Sequence, residues 1–277
     1  MDVNDLGPRA HAPAGERPGP PPITAALLDL DGVLTRTAVV HAAAWQATFD
    51  PDADYRRYVD GKPREAGVRD FLASRGLALP EGAPDDPPER DTVWGVGARK
   101  NARFHALLAE RGVPVAAGAP ERLQAWRTAG LRLAVVTSSR NGRVVLERAG
   151  LADAVELLFD GTDRARLGLR GKPAPDSYLA AARALGVPPA RAAVVEDAIA
   201  GIEAGRRGGF GLVVGIAADE TGAARLRAAG ADLVAPSLAA LPDPPWAARR
   251  AAHPIETERP ARDGSHPPPS AHERSSG

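Results

Sequence analysis

Two acidic residues follow an apolar segment near the start of the chain. Residues 25–30 are typical of a buried strand that carries Asp29, and Asp31 comes two positions later. Side chains two apart on a strand point the same way, and α/β proteins place their sites at the carboxyl ends of strands. Close carboxylates repel unless a cation or a shared proton compensates them, and Mg²⁺ prefers such oxygen ligands. The pair therefore indicates a Mg²⁺ site or a nucleophile that forms an aspartyl phosphate, with an ordinary acidic turn as the alternative.

Three further polar segments follow predicted strands or begin predicted helices: Thr137 to Asn141, Lys172 between a Gly and a Pro, and the acids Glu196 and Asp197. Hydroxyls and backbone amides ahead of a helix can hold a phosphate. A Lys can offer a point charge to a phosphoryl oxygen, and adjacent buried acids need solvent or a metal ion. Each segment also has a structural explanation, because the same residue types begin helices or complement their dipoles. Together, in this order, they form the set needed for metal-assisted phosphoryl transfer.

The apolar segments themselves predict the fold. They are short and lack polar alternation, as in a parallel sheet covered on both faces; they span residues 25–30, 131–136, 157–159, 192–195, 212–214 and 232–235. Helical patterns lie between them at 120–129, 143–149, 175–185, 198–207 and 223–229. This alternation predicts an α/β fold with a Rossmann-like parallel sheet flanked by helices.

The gap between the first two predicted strands is too long for one crossover. It is mostly helical in pattern, at 37–49, 64–74 and 98–111. We predict an inserted helical cap domain over residues 37–116, with an elaborated crossover as the alternative. The α/β core then comprises 23–36 and 117–242. The two ends, 1–22 and 243–277, are rich in Pro and in small or polar residues. They are predicted to be disordered tails.

Composition excludes several classes of protein. The 277 residues include 35 basic and 35 acidic side chains, so bulk charge does not favour nucleic-acid binding. There is no Cys, which excludes disulfides, Cys-ligated metals and thiol nucleophiles. No apolar run is long enough to span a membrane, and no secretory signal is evident. We expect a cytoplasmic monomer without nucleic-acid or membrane partners.

In type and order, the four polar segments resemble the motifs of the haloacid dehalogenase superfamily, across essentially the whole predicted folded region. The resemblance implies that Asp29 is the nucleophile and Asp31 the general acid/base, a group that dehalogenases lack. It implies that Thr137 and Lys172 bind the transferring phosphoryl group. It also implies Mg²⁺ as the cofactor, held by Asp29, the backbone carbonyl of Asp31 and Asp197, with Glu196 nearby.

The predicted cap narrows the resemblance to the β-phosphoglucomutase-like family. Thr37, His41 and Trp45 recur at four-residue spacing on one helix face, although an amphipathic helix with a buried Trp and His would show the same pattern. The resemblance implies that His41 is catalytic and couples the acid/base to cap closure. It implies that substrate is bound by Thr37, Trp45, Arg64, Lys100, Ser138, Ser139, Arg140 and Asn141. Extra residues at 81–91, and Lys62-Pro63 before Arg64, depart from the family pattern near this site.

The resemblance implies an Mg²⁺-dependent enzyme that transfers a phosphoryl group through an aspartyl phosphate. In this family the expected reaction converts β-glucose 1-phosphate into glucose 6-phosphate through the 1,6-bisphosphate. A sugar-phosphate phosphatase would use the same core residues and stays open as an alternative. A catalytically silent binding protein on this fold is the remaining alternative. For either enzyme the partner is a small-molecule sugar phosphate.

Overall fold

A computed structural model of the protein describes residues 21–46, 59, 62–244 and 246. Its centre is a parallel sheet of six strands. The strands are β1 (Ala25–Leu28), β2 (Arg132–Val136), β3 (Leu157–Phe159), β4 (Ala192–Glu196), β5 (Leu212–Ile216) and β6 (Leu233–Ala235). The sheet and its flanking helices confirm the predicted α/β fold. Apart from a few residues at their inner ends, the predicted tails 1–22 and 243–277 lie outside the described residues.

The strand order places β1 inside the sheet. The order is β3-β2-β1-β4-β5-β6, and every neighbouring pair is parallel. The chain therefore moves outward from β1 in both directions, and such a switch point leaves a crevice at the carboxyl ends of the strands. Leu28 pairs in register with Val135 of β2 and with Val195 of β4. The residues that follow these three strands are thereby brought side by side.

The helices fall into two groups along the chain. Between β1 and β2 the first three are α1 (Thr37–Gln46), α2 (Arg64–Ser74) and α3 (Val93–Arg111). The helices that flank the sheet are α4 (Ala119–Thr128), α5 (Gly142–Arg148), α6 (Gly161–Arg166), α7 (Asp176–Ala184), α8 (Ile199–Arg207) and α9 (Glu220–Ala228). Among the described residues, no helix combines the length and the apolar character needed to cross a membrane.

Two helices differ from the sequence prediction. Helix α3 begins five residues earlier than predicted, because the Thr92 hydroxyl accepts a hydrogen bond from the Gly95 N–H at 3.0 Å and caps the helix there. Helix α6 is missing from the prediction, since it is short and mostly polar. Asp160 and Asp163 start it with a reciprocal capping box.

Apolar side chains cover both faces of the sheet. Along β1 they alternate between two buried clusters, with Leu28 in one and Leu27 in the other. This burial on both faces explains the nearly continuous apolar sequence of the strands. Trp246 joins the first cluster and packs edge-on against Trp126, with 4.8 Å between ring centroids. The core therefore reaches past the boundary predicted at residue 242.

The helices α1 to α3 form a layer with an apolar cluster of its own, which includes Trp45, Val68 and Val96. The two connections to the core run side by side, and the Arg36 N–H donates to Pro114 O at 2.7 Å. A separate cluster on paired connections favours an inserted cap over an elaborated crossover. Residues 47–49 of the predicted helix 37–49 lie outside the described residues.

Candidate active site

The carboxyl ends of β1, β2 and β4 bring the predicted core residues together. Asp29 directly follows β1, and its N–H continues the sheet by donating to Val195 O at 2.9 Å. A cavity between these strand ends and the cap is lined by most of the predicted site residues: Asp29, Asp31, His41, Trp45, Arg64, Lys100, Thr137, Ser138, Ser139, Arg140, Asn141, Glu196 and Asp197. The remaining two, Thr37 and Lys172, are buried and contact Asp31 and Asp29 respectively.

The Lys172 ammonium group joins carboxylates from two neighbouring strands. Its Nζ lies 2.5 Å from Asp29 Oδ1, 2.6 Å from Glu196 Oε1 and 3.2 Å from Val136 O. Burial alone would lower the pKa of Lys172, but the two carboxylates raise it well above its usual value. Lys172 is therefore a buried cation, fixed where it can neutralise oxygens of a group bound to Asp29.

The acidic cluster around Asp29 fits a hard divalent cation. Oxygens of Asp29, Glu196 and Asp197 lie within 4.8 Å of one another. Gly32 leaves room for this cluster, because a Cβ there would lie only 1.8 Å from Asp197 Oδ2. Burial raises the pKa of Asp29 to about 8, although the Lys172 charge opposes the shift. A bound cation such as Mg²⁺ would favour the ionised form that a nucleophile requires.

Tyr178 is a further hydrogen-bond partner of Glu196. Its sequence pattern does not distinguish it from a core residue. Its hydroxyl donates to Glu196 Oε1 at 2.9 Å, and the Lys172 ammonium lies 5.0 Å from its ring centroid. Glu196 Oε2 accepts the N–H groups of Asp197 and Ala198. The carboxylate thus accepts four hydrogen bonds, which uses its full capacity. Direct metal binding by Glu196 would require exchange of one of these partners.

Asp31 is held from both the cap and the core. The Thr37 hydroxyl donates to Asp31 Oδ1 at 2.5 Å, and the Thr137 hydroxyl donates to Oδ2 at 3.3 Å. His41 Nε2 lies 3.4 Å from Oδ1. Burial on its own would raise the pKa of Asp31, but His41 and the hydrogen bond from Thr37 lower it to about 2. Asp31 is therefore ionised at neutral pH, as a general base must be.

Lys100 determines which nitrogen of His41 carries the proton. Its Nζ donates to His41 Nδ1. The charged form of Lys100 has no acceptor, so with Lys100 charged the imidazole proton sits on Nε2, which faces Asp31. Burial, then the Lys100 charge, lower the pKa of His41, and burial lowers that of Lys100 to about 7. His41 also stacks on Phe104 and Lys100 lies over the Trp45 ring, so these side chains form one connected group beside Asp31.

Arginine side chains from the cap and the core meet around one buried acid. Arg64 Nε lies 3.8 Å from Glu65 Oε1 on α2, and Arg140 Nη2 from the core lies 3.6 Å from the same oxygen. Beside them, Asn141 Nδ2 donates to Asn101 Oδ1 of the cap at 2.8 Å. Guanidinium groups contributed by α2 and by the loop after β2 suit the recognition of an anionic ligand.

The model of the haloacid dehalogenase-like hydrolase family matches residues 23–209, which include every core residue of the site. The chain belongs to this family. As a haloacid dehalogenase-family protein with these residues in place, it is an enzyme of phosphoryl transfer, a mutase or a phosphatase. The superfamily resemblance seen in the sequence is thereby confirmed.

Within the haloacid dehalogenase family, similar proteins include β-phosphoglucomutases and CbbY. The β-phosphoglucomutase of Mycobacterium bovis is 48% identical over 244 residues, which cover 80% of this chain and 92% of that protein. The crystal structure of CbbY from Rhodobacter sphaeroides in complex with phosphate has a TM-score of 0.61 at 27% identity, over 78% of this chain and 95% of that one. The structure of β-phosphoglucomutase from Clostridium difficile shares the fold with a TM-score of 0.65 at 24% identity, over 79% and 93% of the two chains.

Gly201→Ala is expected to weaken activity although it improves helix propensity. Gly201 lies in α8, and a Cβ there would be 1.8 Å from Glu196 Oε1, so Ala must displace this carboxylate from Lys172. Mutation of residues that orient the ligands of a metal ion lowers metal affinity or activity about 10- to 100-fold. We expect a loss of that size in a titration of activity against Mg²⁺ concentration. Gly222→Ala in α9 is the matched control, since its Cβ would lie 3.2 Å from the nearest atom, a methyl group; equal Mg²⁺ curves for the two variants would contradict the prediction.

Proposed function

We propose that the protein is a β-phosphoglucomutase, which converts β-glucose 1-phosphate into glucose 6-phosphate through glucose 1,6-bisphosphate. The observation that carries this proposal is the contact of Asp31 with the cap-helix residues Thr37 and His41. A sugar acceptor requires that water be kept away from the aspartyl phosphate. An acid/base that is held by the cap favours transfer under a closed cap over transfer to water. The 48% identity to a protein named β-phosphoglucomutase supports the same function.

In the proposed reaction Asp29 carries the phosphoryl group. Its oxygen attacks a phosphorus of glucose 1,6-bisphosphate, the P–O bond to the sugar breaks, the departing sugar oxygen takes a proton from protonated Asp31, and an aspartyl phosphate forms. Lys172 lies 2.5 Å from Asp29 Oδ1 and is placed to neutralise the phosphoryl oxygens. Thr137 lines the same cavity as Asp29 and would contact the same group. Mg²⁺, held by Asp29, Asp197 and the Asp31 carbonyl, would supply Lewis-acid neutralisation of the charge on these oxygens.

Asp31 handles the proton of the sugar hydroxyl. As this hydroxyl attacks the aspartyl phosphate, Asp31 takes its proton, and the bisphosphate forms while Asp29 is released. Oδ1 faces Thr37 and His41, whereas Oδ2 carries the longer, 3.3 Å hydrogen bond from the Thr137 hydroxyl, so we assign the transferred proton to Oδ2. After the bisphosphate turns over in the cavity, its other phosphoryl group passes to Asp29, and protonated Asp31 returns the proton to the departing sugar oxygen.

The cap would provide the remaining functions. Closure excludes water from the aspartyl phosphate. Arg64, Lys100 and Arg140 line the cavity with positive charge and would hold the phosphate that is not being transferred. The cytoplasmic location and the monomeric state predicted from the sequence stay predictions.

A product assay tests the proposal. The purified protein is incubated with Mg²⁺, β-glucose 1-phosphate and a trace of glucose 1,6-bisphosphate, and glucose 6-phosphate and free phosphate are measured in the same samples. We expect glucose 6-phosphate in large excess over phosphate, because the cap-linked Asp31 favours a sugar acceptor. The α-anomer of glucose 1-phosphate serves as the control substrate and is expected to give little product.

The second candidate is a sugar-phosphate phosphatase, which is favoured by the likeness to a CbbY structure in complex with phosphate. It would use Asp29, Asp31 and Lys172 in the same roles, with water as the acceptor. Mostly free phosphate in the assay would establish this activity and overturn the mutase. If the assay yields neither glucose 6-phosphate nor free phosphate, β-glucose 1-phosphate is the wrong substrate for this site.

A further inference from the structure

We propose that Arg164 is a substrate-binding residue that, with Arg64 and Arg140, holds the second phosphate of a substrate phosphorylated at two positions. This inference rests on the proposed function, because it assumes a phosphorylated sugar in the cavity. Arg164 lies on α6, outside the segments that resemble family motifs. It nevertheless lines the same cavity as the nucleophile and the acid/base.

The backbone brings α6 against the loop that follows β2. The Gly161 N–H donates to Ser139 O at 2.9 Å. A Cβ at Gly161 would lie 2.6 Å from Ser138 O and 3.0 Å from Arg140 Cγ, so only glycine allows this approach without a shift. Arg164 stands one turn into the helix and lines the same cavity as Arg140.

The stem of Arg164 also reaches the boundary with the cap. A Cβ at Gly171 would lie 2.4 Å from Pro63 Cγ of the cap and 3.9 Å from Arg164 Cδ, so core and cap meet at this side chain. Arg164 Nη1 donates to Leu169 O at 3.1 Å, which anchors the guanidinium group. Its Nε is buried and has no hydrogen-bond partner within the described part of the chain. A buried donor without an acceptor is unfavourable, and a ligand oxygen would satisfy it.

The side chains around Glu65 carry a net positive charge, which favours the binding of an anion. Arg64 and Arg140 lie 3.8 Å and 3.6 Å from Glu65 Oε1. Burial lowers the pKa of Arg164, Glu65 raises it and Arg140 lowers it, so Arg164 interacts with the same carboxylate that Arg64 and Arg140 approach. Three guanidinium groups and one carboxylate leave two positive charges. Among the described residues Glu65 Oε1 accepts no hydrogen bond, so this oxygen does not use the N–H groups of the arginines that a ligand would need.

This excess of two positive charges matches a phosphate monoester, which carries nearly two negative charges at neutral pH. Guanidinium groups bind phosphate oxygens through paired planar donors. Lys62 also lines the cavity, but it is paired with Asp70 at 2.7 Å and does not contribute to this excess. A substrate with two phosphates would place one at Asp29 and the other among the three arginines.

The test compares Arg164→Met with Arg166→Met on the same helix, whose side chain is 66% exposed and paired with Asp163. Isothermal titration calorimetry measures the affinity for glucose 1,6-bisphosphate in the presence of Mg²⁺. Loss of charge-assisted hydrogen bonds predicts about 10- to 100-fold weaker binding by Arg164→Met. Arg166→Met is expected to bind like the wild type. Thermal unfolding without ligand checks that both variants are folded.

The outcomes separate this inference from the proposed function. Equal affinities of the two variants would overturn the role of Arg164, even if the protein makes glucose 6-phosphate. If the wild type makes no glucose 6-phosphate but Arg164→Met still weakens binding of the bisphosphate, the mutase function is overturned and the role of Arg164 is supported. If Arg164→Met does not fold, Arg164→Lys replaces it: the single ammonium is expected to weaken binding about tenfold, and wild-type affinity there would overturn the inference.

Discussion

Asp29→Asn is expected to lower kcat about 10⁴-fold or more, since loss of a covalent nucleophile removes the step on which the others depend. The amide of Asn does not form an acyl phosphate with the substrate. The remaining carbonyl oxygen of Asn can still accept the hydrogen bond that Lys172 Nζ makes to Asp29 Oδ1 at 2.5 Å. We therefore expect a folded protein that has lost its chemistry. The expectation holds for a mutase and for a phosphatase alike, because both pass through the same intermediate.

Two measurements check this prediction. Initial rates with β-glucose 1-phosphate give the loss in kcat, and acid-quenched samples analysed by mass spectrometry report the phosphorylated protein. Asp153→Asn is the control, since Asp153 is exposed in a short helical turn after α5 and lies outside the cavity. A variant at position 29 that keeps wild-type kcat, or that still becomes phosphorylated, would show that the nucleophile is elsewhere.

The core of the site could be predicted because parallel sheets obey a simple rule. Strands buried on both faces have nearly continuous apolar sequences, and functional side chains follow their carboxyl ends. Asp29, Thr137 and Asp197 are far apart in the chain, but each follows or closely follows one of three adjacent strands. Recognising the strands was therefore enough to predict which residues would meet.

The supporting residues could not be predicted in this way, because their roles arise from contacts between separate segments. The Tyr178 hydroxyl reaches Glu196 only after α7 has packed on the sheet, and its sequence pattern is that of any core residue. Glu65 on the cap meets Arg140 of the core, a contact that no local propensity encodes. Arg164 lies in a helix whose start depends on capping by Asp160 rather than on apolar periodicity.

Lys172→Met is expected to affect both activity and stability. Its Nζ bridges Asp29 Oδ1 and Glu196 Oε1, and the side chain is 2% exposed. Without the ammonium group buried Glu196 loses its counter-charge, and so does Asp29 wherever it is ionised; removal of one partner from a buried ion pair costs about 3–5 kcal/mol in the free energy of unfolding. Loss of its charge from the phosphoryl oxygens is expected to lower kcat about 10³-fold. Urea unfolding in EDTA measures the stability without a metal ion, and product formation in Mg²⁺ measures kcat.

The stability loss in Lys172→Met should grow with pH. The folded-state pKa of Asp29 is raised to about 8 by burial, and Lys172 opposes this rise, so the variant raises it further. A carboxyl whose pKa is raised on folding contributes stability that is lost as pH rises through the folded value. The deficit relative to the wild type should therefore be larger at pH 9 than at pH 6. Lys62→Met is the matched control: Lys62 pairs with Asp70, whose side chain is 47% exposed, and exposed pairs contribute about 0–1 kcal/mol. A deficit in Lys172→Met that is as small as in this control, or that shrinks at high pH, would mean that the ammonium group does not hold the two carboxylates together.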